Sequence, residues 1–272
     1  MSEAKLTRYQ ALIEWVFFHH YSEGDTEVHW ERSALEQGAQ ELGVDLPKNL
    51  GDVVYSQRYR ASMPPSIADK APKGKHWIIR GTGRAKYAFV AVGAAARVLP
   101  RTDLVVTKVP DATPEIIRSS ALGDEQALLA LVRYNRLIDV FLGVAAYSLQ
   151  NHLRTTAPTI GQVEVDEIYV AVDRHGAQYV LPVQAKGGKD ELGVTQAEQD
   201  LAVCAAKFPD LVARPIAAQF MDNEVIALFE LALQDDEIVV LQEQHYKLVS
   251  AAAVTPEDRA LYERMSGSSR NK

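Results

Sequence analysis

Two β-prone runs in the second half of the chain most constrain its fold. "QVEVDEIYVAVD" (residues 162–173) and "QYVLPVQAK" (residues 178–186) are separated only by the turn "RHGA". Such runs around a short turn predict an antiparallel pair of strands. Beyond them the pattern predicts a helix over Val194–Phe208, a buried strand in "RPIAAQF", a helix over Asn223–Leu233 and a last strand in "EIVVLQEQHYKLV". This alternation predicts an α/β fold, in which helices flank a mixed sheet.

The sequence predicts that the N-terminal part is mainly helical. Apolar spacing predicts helices over Leu6–Tyr21 and Ser33–Leu42, and a third helix that starts near Pro47 and carries Arg58 and Arg60 at its far end. The second and third helices are joined through "LGVDLP", and this pair resembles a helix-turn-helix.

A basic hairpin is predicted to follow these helices. The β-prone runs Trp77–Ile79 and Tyr87–Val92 are joined by a turn with two glycines and the cations Arg80, Arg84 and Lys86. Helices followed by such a hairpin resemble a winged helix with the hairpin as its wing. A small α/β packing domain is the alternative interpretation.

The charge distribution favours a phosphate-bearing partner for this part of the chain. The 272 residues carry a formal net charge of −7, yet residues 48–101 contain eleven basic and two acidic residues, a local excess of +9. A solvated basic face is the simpler reading, but a basic segment in an acidic chain is better explained by nucleic acid. We therefore expect double-stranded DNA as the partner, with contacts from Arg58, Arg60, Arg80, Arg84 and Lys86.

Prolines mark a boundary between two predicted domains. Pro110 and Pro114 separate a winged-helix-like domain (residues 1–112) from the α/β domain (residues 113–272). The second domain is predicted to begin with one long helix or two abutting helices from Asp124 to about Leu153.

Two classes of protein are disfavoured by composition. No apolar run approaches the roughly 20 residues that a membrane helix needs, and the start "MSEAKLTRYQ" is too polar for a secretory signal, so we expect a cytoplasmic protein. Cys204 is the only cysteine, which excludes an internal disulfide and predicts ordinary core packing in "LAVCAAKF".

Polar side chains converge at the end of the two central strands. Glu164 and Asp166 lie two residues apart and share one face of their strand, and Gln184 and Lys186 do so on the next. Carboxylate and amide oxygens, with the backbone carbonyl of Ala185, suit Mg²⁺ or Mn²⁺. Lys186 would then stabilise a phosphate or help position or deprotonate the attacking water. An ion pair of Lys186 with either acid is the purely structural alternative.

These residues resemble the motif of the PD-(D/E)xK nuclease superfamily, in which an Asp on one strand precedes a Glu-x-Lys on the next. Here Asp166 and Gln184-Ala185-Lys186 match, in the Q-x-K form that Mrr-type restriction nucleases carry. The resemblance covers about residues 115–220 and implies a restriction-endonuclease-like fold. The helix after the lysine also fits, since Gln196 stands where the family often has a glutamine, as a surface amide or a DNA contact.

The resemblance implies a metal-dependent DNA endonuclease with a restriction or defence role, acting as a homodimer or by two successive nicks. Gln184 removes one formal charge from the metal site, and Glu164 could replace it. Either Asp139 or Glu125 could add the acid that such nucleases contribute from their first helix, whereas Glu167 points to the opposite face. A DNA-binding regulator or adaptor on an inactive nuclease fold is the alternative.

Overall fold

The structure is a computed structural model that describes residues 7–59, 61–93, 97–120, 125–157, 160–187 and 190–266. It confirms the α/β class, because helices flank a mixed sheet of eight strands. Within the described ranges, no helix combines the length and the apolar character needed to cross a membrane.

The N-terminal part contains four helices and a three-stranded antiparallel sheet. The elements in chain order are α1 (Arg8–His20), β1 (Glu27–Glu31), α2 (Ala34–Leu42), α3 (Gly51–Tyr59), α4 (Pro65–Ala68), β2 (His76–Gly83) and β3 (Lys86–Val92). Helix α1 begins at a capping box between Thr7 and Gln10. The predicted helices and hairpin are confirmed, and β1 adds a strand to β3, giving the order β1-β3-β2.

An aromatic cluster holds this part together. Phe17 of α1 lies 5.1 Å from the Phe89 ring and 5.2 Å from the Trp77 ring, both in edge-to-face contact. Such contacts add about 0.5–1.5 kcal/mol per pair beyond the burial of apolar surface. The helices are thereby fixed on one face of the small sheet.

The large sheet follows in the second part of the chain. Its region comprises β4 (Arg97–Val98), β5 (Val106–Pro110), α5 (Glu115–Arg118), α6 (Glu125–Tyr134), α7 (Leu137–Leu142), β6 (Ala145–Ala157), β7 (Gly161–Val172), β8 (Gln178–Lys186), β9 (Leu192–Gly193), α8 (Val194–Lys207), β10 (Val212–Ala213), β11 (Ile216–Met221), β12 (Val225–Gln234), β13 (Glu237–Val249) and α9 (Pro256–Met265). The order is β5-β13-β12-β11-β8-β7-β6, and β10 also pairs with β8. Strand β8 is parallel to β10 and β11, β13 is parallel to β5, and the other neighbours are antiparallel.

One helical prediction extends too far, and another is wrong. The helical prediction to about Leu153 holds only to Leu142, because Gly143 adopts a left-handed conformation (φ 65°) that ends α7, and the edge strand β6 follows. Asn223–Leu233 is also not a helix, since β12 occupies Val225–Gln234. Its apolar residues are buried on both faces of the strand, so they form a continuous run rather than an alternation.

The central strand β8 is covered by helices on both faces. Leu181 and Val183 pack into the core beneath α6 and α7, whereas Val180 packs with Val203 and Cys204 of α8. Both faces of β8 are therefore removed from water along most of its length. The polar residues Gln184 and Lys186 follow directly on this apolar stretch.

Cys204 is buried in this core, as predicted. Burial raises the pKa of its thiol to about 12. We expect no reaction with a thiol reagent at neutral pH in the native protein, and one equivalent of reaction after denaturation, measured spectrophotometrically. Stoichiometric modification of the native protein would contradict this packing.

Helix α8 joins the two parts of the chain. The Tyr59 hydroxyl of α3 donates to Gln199 Oε1 at 2.6 Å, and the Arg80 guanidinium of β2 forms a bidentate pair with Glu198. Ile78 and Val92 share a core cluster with Val194 and Phe229. The predicted boundary near residue 112 thus has packed contacts across it, and β5 on its N-terminal side is a strand of the large sheet.

Candidate active site and nucleic-acid interface

A cleft of about 640 Å³ opens between the N-terminal part and the end of the central strands. One side is formed by α3 and the β2–β3 turn, and the other by β7, β8 and the start of α6 and α8. The predicted site residues that line it are Arg58, Arg84, Glu125, Glu164, Asp166, Gln184, Lys186 and Gln196. The fold thus brings the predicted acid and lysine residues together with three of the predicted DNA contacts, Arg58, Arg84 and Gln196.

Asp166 and Gln184, together called the acidic centre below, lie where the pairing between β7 and β8 ends. Their ladder runs from Val172–Gln178 to Glu167–Val183, and the β8 residues beyond this point pair with β11. The backbone N–H of Ala185 donates to Asp166 Oδ2 at 2.9 Å. Burial raises the pKa of Asp166, while this N–H and the Lys186 ammonium act in the opposite direction.

Gln184 is held by two acceptors. Its Nε2 donates to Asp200 Oδ1 at 3.0 Å and to the Glu164 backbone carbonyl at 3.2 Å. Gln184 is 3% exposed and Asp200 is 1% exposed. Burial raises the pKa of Asp200 well above its usual value. Asp200 was not predicted as a site residue. A signal was present, because Asp200 lies at helical spacing between the apolar Ala197 and Cys204, which indicates an acid on the buried face of the helix.

Lys186 pairs with an acid at the start of α6. Its Nζ lies 3.5 Å from Glu125 Oε1 of α6, and its side chain is 14% exposed. Glu125 is therefore the helix acid that reaches the cleft. Asp139, the other candidate, accepts from the Arg136 guanidinium and from the Ala146 N–H, and it lines a separate cavity.

The two remaining acids of β7 have defined partners. Glu164 forms an ion pair with Arg154 at 3.2 Å and lies 3.5 Å from His152 Nδ1, and it is half exposed at the edge of the cleft. Glu167 is fully buried, accepts from Arg133 Nε at 2.9 Å and also pairs with Ser148. These contacts agree with a structural role for Glu167.

Asp166, Glu164 and Gln184 bring oxygen donors to the cleft. In the described residues, no group of three His, Cys, Asp or Glu side chains is placed to hold a metal ion. Asp166, Glu164 and the Gln184 amide oxygen nevertheless fit the chemistry of Mg²⁺, which is often bound by one or two carboxylates and completed by water and substrate phosphate. Ala185, whose carbonyl was a predicted ligand, is fully buried between Gln184 and Lys186.

Cations from the N-terminal part and an amide from α8 also line the cleft. Arg58 lies over the Tyr59 ring at 5.0 Å, and its Nε is buried without a hydrogen-bond partner in the described part of the chain. The Gln196 Oε1 is buried and equally unpartnered there. Arg84 has no ion pair among the described residues, and Arg32, which sequence reasoning missed, adds another cation to the lining.

The other predicted DNA contacts lie elsewhere. Arg80 pairs with Glu198 and donates to the Asp236 carbonyl, so it joins the two parts of the chain. Lys86 lies 3.6 Å from Glu31 on an exposed surface and lines two neighbouring depressions. Arg60 lies outside the described residues.

Replacing Arg80 should therefore affect stability more than DNA binding. Arg80→Met removes a part-buried bidentate ion pair, and we expect a loss of about 1–2 kcal/mol in unfolding free energy. The salt dependence of DNA binding should stay unchanged. Chemical denaturation measures the first quantity, with Lys86→Met as the control for loss of an exposed ion pair. An unchanged stability with a reduced salt dependence would instead make Arg80 a phosphate contact.

Comparison with known proteins adds no assignment to this geometry. No family model matches the chain, and no curated protein or solved structure matches it either.

Proposed function

We propose that the protein is a metal-dependent endonuclease that hydrolyses phosphodiester bonds in double-stranded DNA, with a restriction-endonuclease-like site in the Q-x-K form. One observation carries the proposal. Asp166, Gln184 and Lys186 line the same cleft as Arg58 and Arg84. A centre able to hold metal and phosphate, next to cations that have no ion pair among the described residues, is the combination that hydrolysis of a polyanion requires.

The N-terminal part would position the DNA as a winged helix. Its elements follow the order helix, strand, helix, helix, strand, strand, apart from the short α4. Helices α2 and α3 would form the helix-turn-helix, and the turn between β2 and β3 would be the wing. Support comes from the cleft lining, which includes Gly51, Tyr55 and Arg58 of α3 together with Arg84 of the turn.

The acidic centre would hold Mg²⁺ or Mn²⁺. Asp166 and the Gln184 amide oxygen would bind the ion, with Glu164 and the Ala185 carbonyl as further oxygen donors. A bound ion would polarise the scissile phosphate and lower the pKa of the attacking water. Asp166 must be ionised for this role, so its raised pKa predicts weaker metal binding in acid.

Lys186 would supply positive charge at the scissile phosphate. Its side chain is mostly buried, and the Glu125 carboxylate fixes its ammonium near the cleft. A lysine held in a site with little water stabilises developing phosphate charge more strongly than one in bulk solvent. Arg58 and Arg84 would bind flanking phosphates and so fix the strand relative to Asp166.

A second candidate is a DNA-binding regulator or adaptor that does not cleave. The lack of a three-residue acidic or histidine metal group in the described ranges favours this candidate. Both candidates bind DNA, so only cleavage separates them. If the enzyme cuts both strands, a homodimer or two successive nicks would be needed.

The decisive test is cleavage of supercoiled plasmid by the purified protein. The proposal predicts conversion to nicked and linear forms with Mg²⁺ or Mn²⁺, and intact plasmid with EDTA. Binding without any conversion under either metal would favour the non-cleaving regulator.

A further inference from the structure

We propose that Asp200 is a positioning residue that holds the Gln184 side chain by accepting from its amide, so that the amide oxygen is directed to the metal site. The inference rests on the proposed function, because it assigns Asp200 a role in that site. It also explains why a glutamine occupies position 184, where the resembled family most often has a glutamate.

The hydrogen bonds of the Gln184 amide fix its orientation. The Gln184 amide has two N–H donors, and both have an acceptor, at Asp200 Oδ1 (3.0 Å) and at the Glu164 carbonyl (3.2 Å). The oxygen of the same planar amide must point away from these two acceptors. Gln184 also lines the cleft, so the amide orientation is determined next to Asp166.

Helix α8 is held in place by side chains of the N-terminal part. Glu198 and Gln199, which directly precede Asp200, are bound by Arg80 and Tyr59 of the N-terminal part. Asp200 itself is buried beside Gln184 and cannot move away into solvent. A buried acceptor on an anchored helix restricts the Gln184 side chain to one orientation.

The pairing also restricts which residue can stand at position 184. A glutamate there would set a carboxylate against Asp200 Oδ1 and the Glu164 carbonyl, so that acceptors would face acceptors in a buried site. Exchanging the two side-chain types should restore a donor–acceptor pair.

Thermal unfolding of four proteins without metal tests the pairing directly. We expect Gln184→Glu to lower the unfolding midpoint by about 2–8 °C near pH 8. Asp200→Asn should have little effect, and Gln184→Glu/Asp200→Asn should recover most of the loss. A Gln184→Glu midpoint equal to wild type, or a double variant no better than Gln184→Glu, would overturn the pairing.

Manganese binding in the absence of DNA tests the positioning role. Asp200→Leu removes the acceptor, and we expect the Kd for Mn²⁺ to rise at least about 10-fold in titration calorimetry. Asp200→Asn keeps an acceptor oxygen and should bind within about twofold of wild type. Asp210→Asn, at an exposed acid after α8, controls for the loss of charge. Equal affinity of Asp200→Leu and wild type would overturn the positioning role.

The two measurements separate this inference from the proposed function. If wild type binds no Mn²⁺, the proposed function and the positioning role fail together, while the midpoints still decide the donor–acceptor pairing. If wild type binds Mn²⁺ and cleaves DNA but the midpoints show no recovery, the inference fails and the function stands.

Discussion

Asp166→Asn and Lys186→Met are each expected to reduce plasmid cleavage by about 10²–10³-fold or more while DNA binding persists. Asp166→Asn removes the half-buried carboxylate but keeps an oxygen that can accept from the Ala185 N–H. Lys186→Met keeps the length of the side chain and removes its charge. Plasmid conversion with Mg²⁺ measures the loss, and fluorescence anisotropy with a labelled duplex measures binding.

Asp139→Asn is the matched control for this result. Asp139 was also a candidate from the sequence, but it lines a different cavity and caps the Ala146 N–H. Its replacement should leave cleavage within about twofold of wild type once the protein is folded. Full activity of Asp166→Asn or Lys186→Met would remove that residue from the site.

The second large effect is expected in the salt dependence of DNA binding. Arg58→Ala/Arg84→Ala removes two cations that line the cleft. If both contact phosphates, the slope of log affinity against log salt should fall by about 1.8 in magnitude, at about 0.9 per contact. The measurement is duplex binding at several salt concentrations, in Ca²⁺ to support binding.

Lys86→Ala is the control on the same hairpin, because Lys86 pairs with Glu31 outside the cleft. Its slope should equal that of wild type. Cleavage by Arg58→Ala/Arg84→Ala should recover when protein and DNA are raised well above the new Kd, since the chemistry is unchanged. A wild-type slope for this double variant would place the DNA-binding surface elsewhere.

Local patterns were sufficient for much of the fold. Helix α2, the β2–β3 hairpin, the β7–β8 pair, α8 and β13 were predicted because each has its own cap, turn or periodic spacing. The α/β class follows from their order.

The errors occurred where local patterns are ambiguous. Strand β6 lies at a sheet edge and is exposed along most of its length, so it lacks the alternation of a half-buried strand. Strand β12 is buried on both faces, so the apolar run "VIALFELAL" is equally typical of a buried helix and of a buried strand. The pairing of β5 with β13 joins residues far apart in sequence, which no local pattern reports.

The candidate site was predictable where polar residues suited to metal binding recur at every second position of a strand. The side chains of Glu164, Asp166, Gln184 and Lys186 do line one cleft, as the period of two along neighbouring strands suggested. Three-dimensional packing was needed to choose Glu125 over Asp139, to find Arg32 and the contact of Asp200 with Gln184, and to recognise that Arg80 joins the two parts of the chain. The sequence shows which charges are present but not which of them already have partners.

Single-turnover cleavage of an end-labelled duplex tests the central claim most directly. Wild type and Asp166→Asn, purified identically, are mixed with DNA at protein concentrations above both Kd values, with Mg²⁺ or with EDTA. The account predicts Mg²⁺-dependent cleavage by wild type, and for Asp166→Asn a rate at or near the EDTA background. Equal rates for the two proteins, or wild-type cleavage that persists in EDTA, would contradict it.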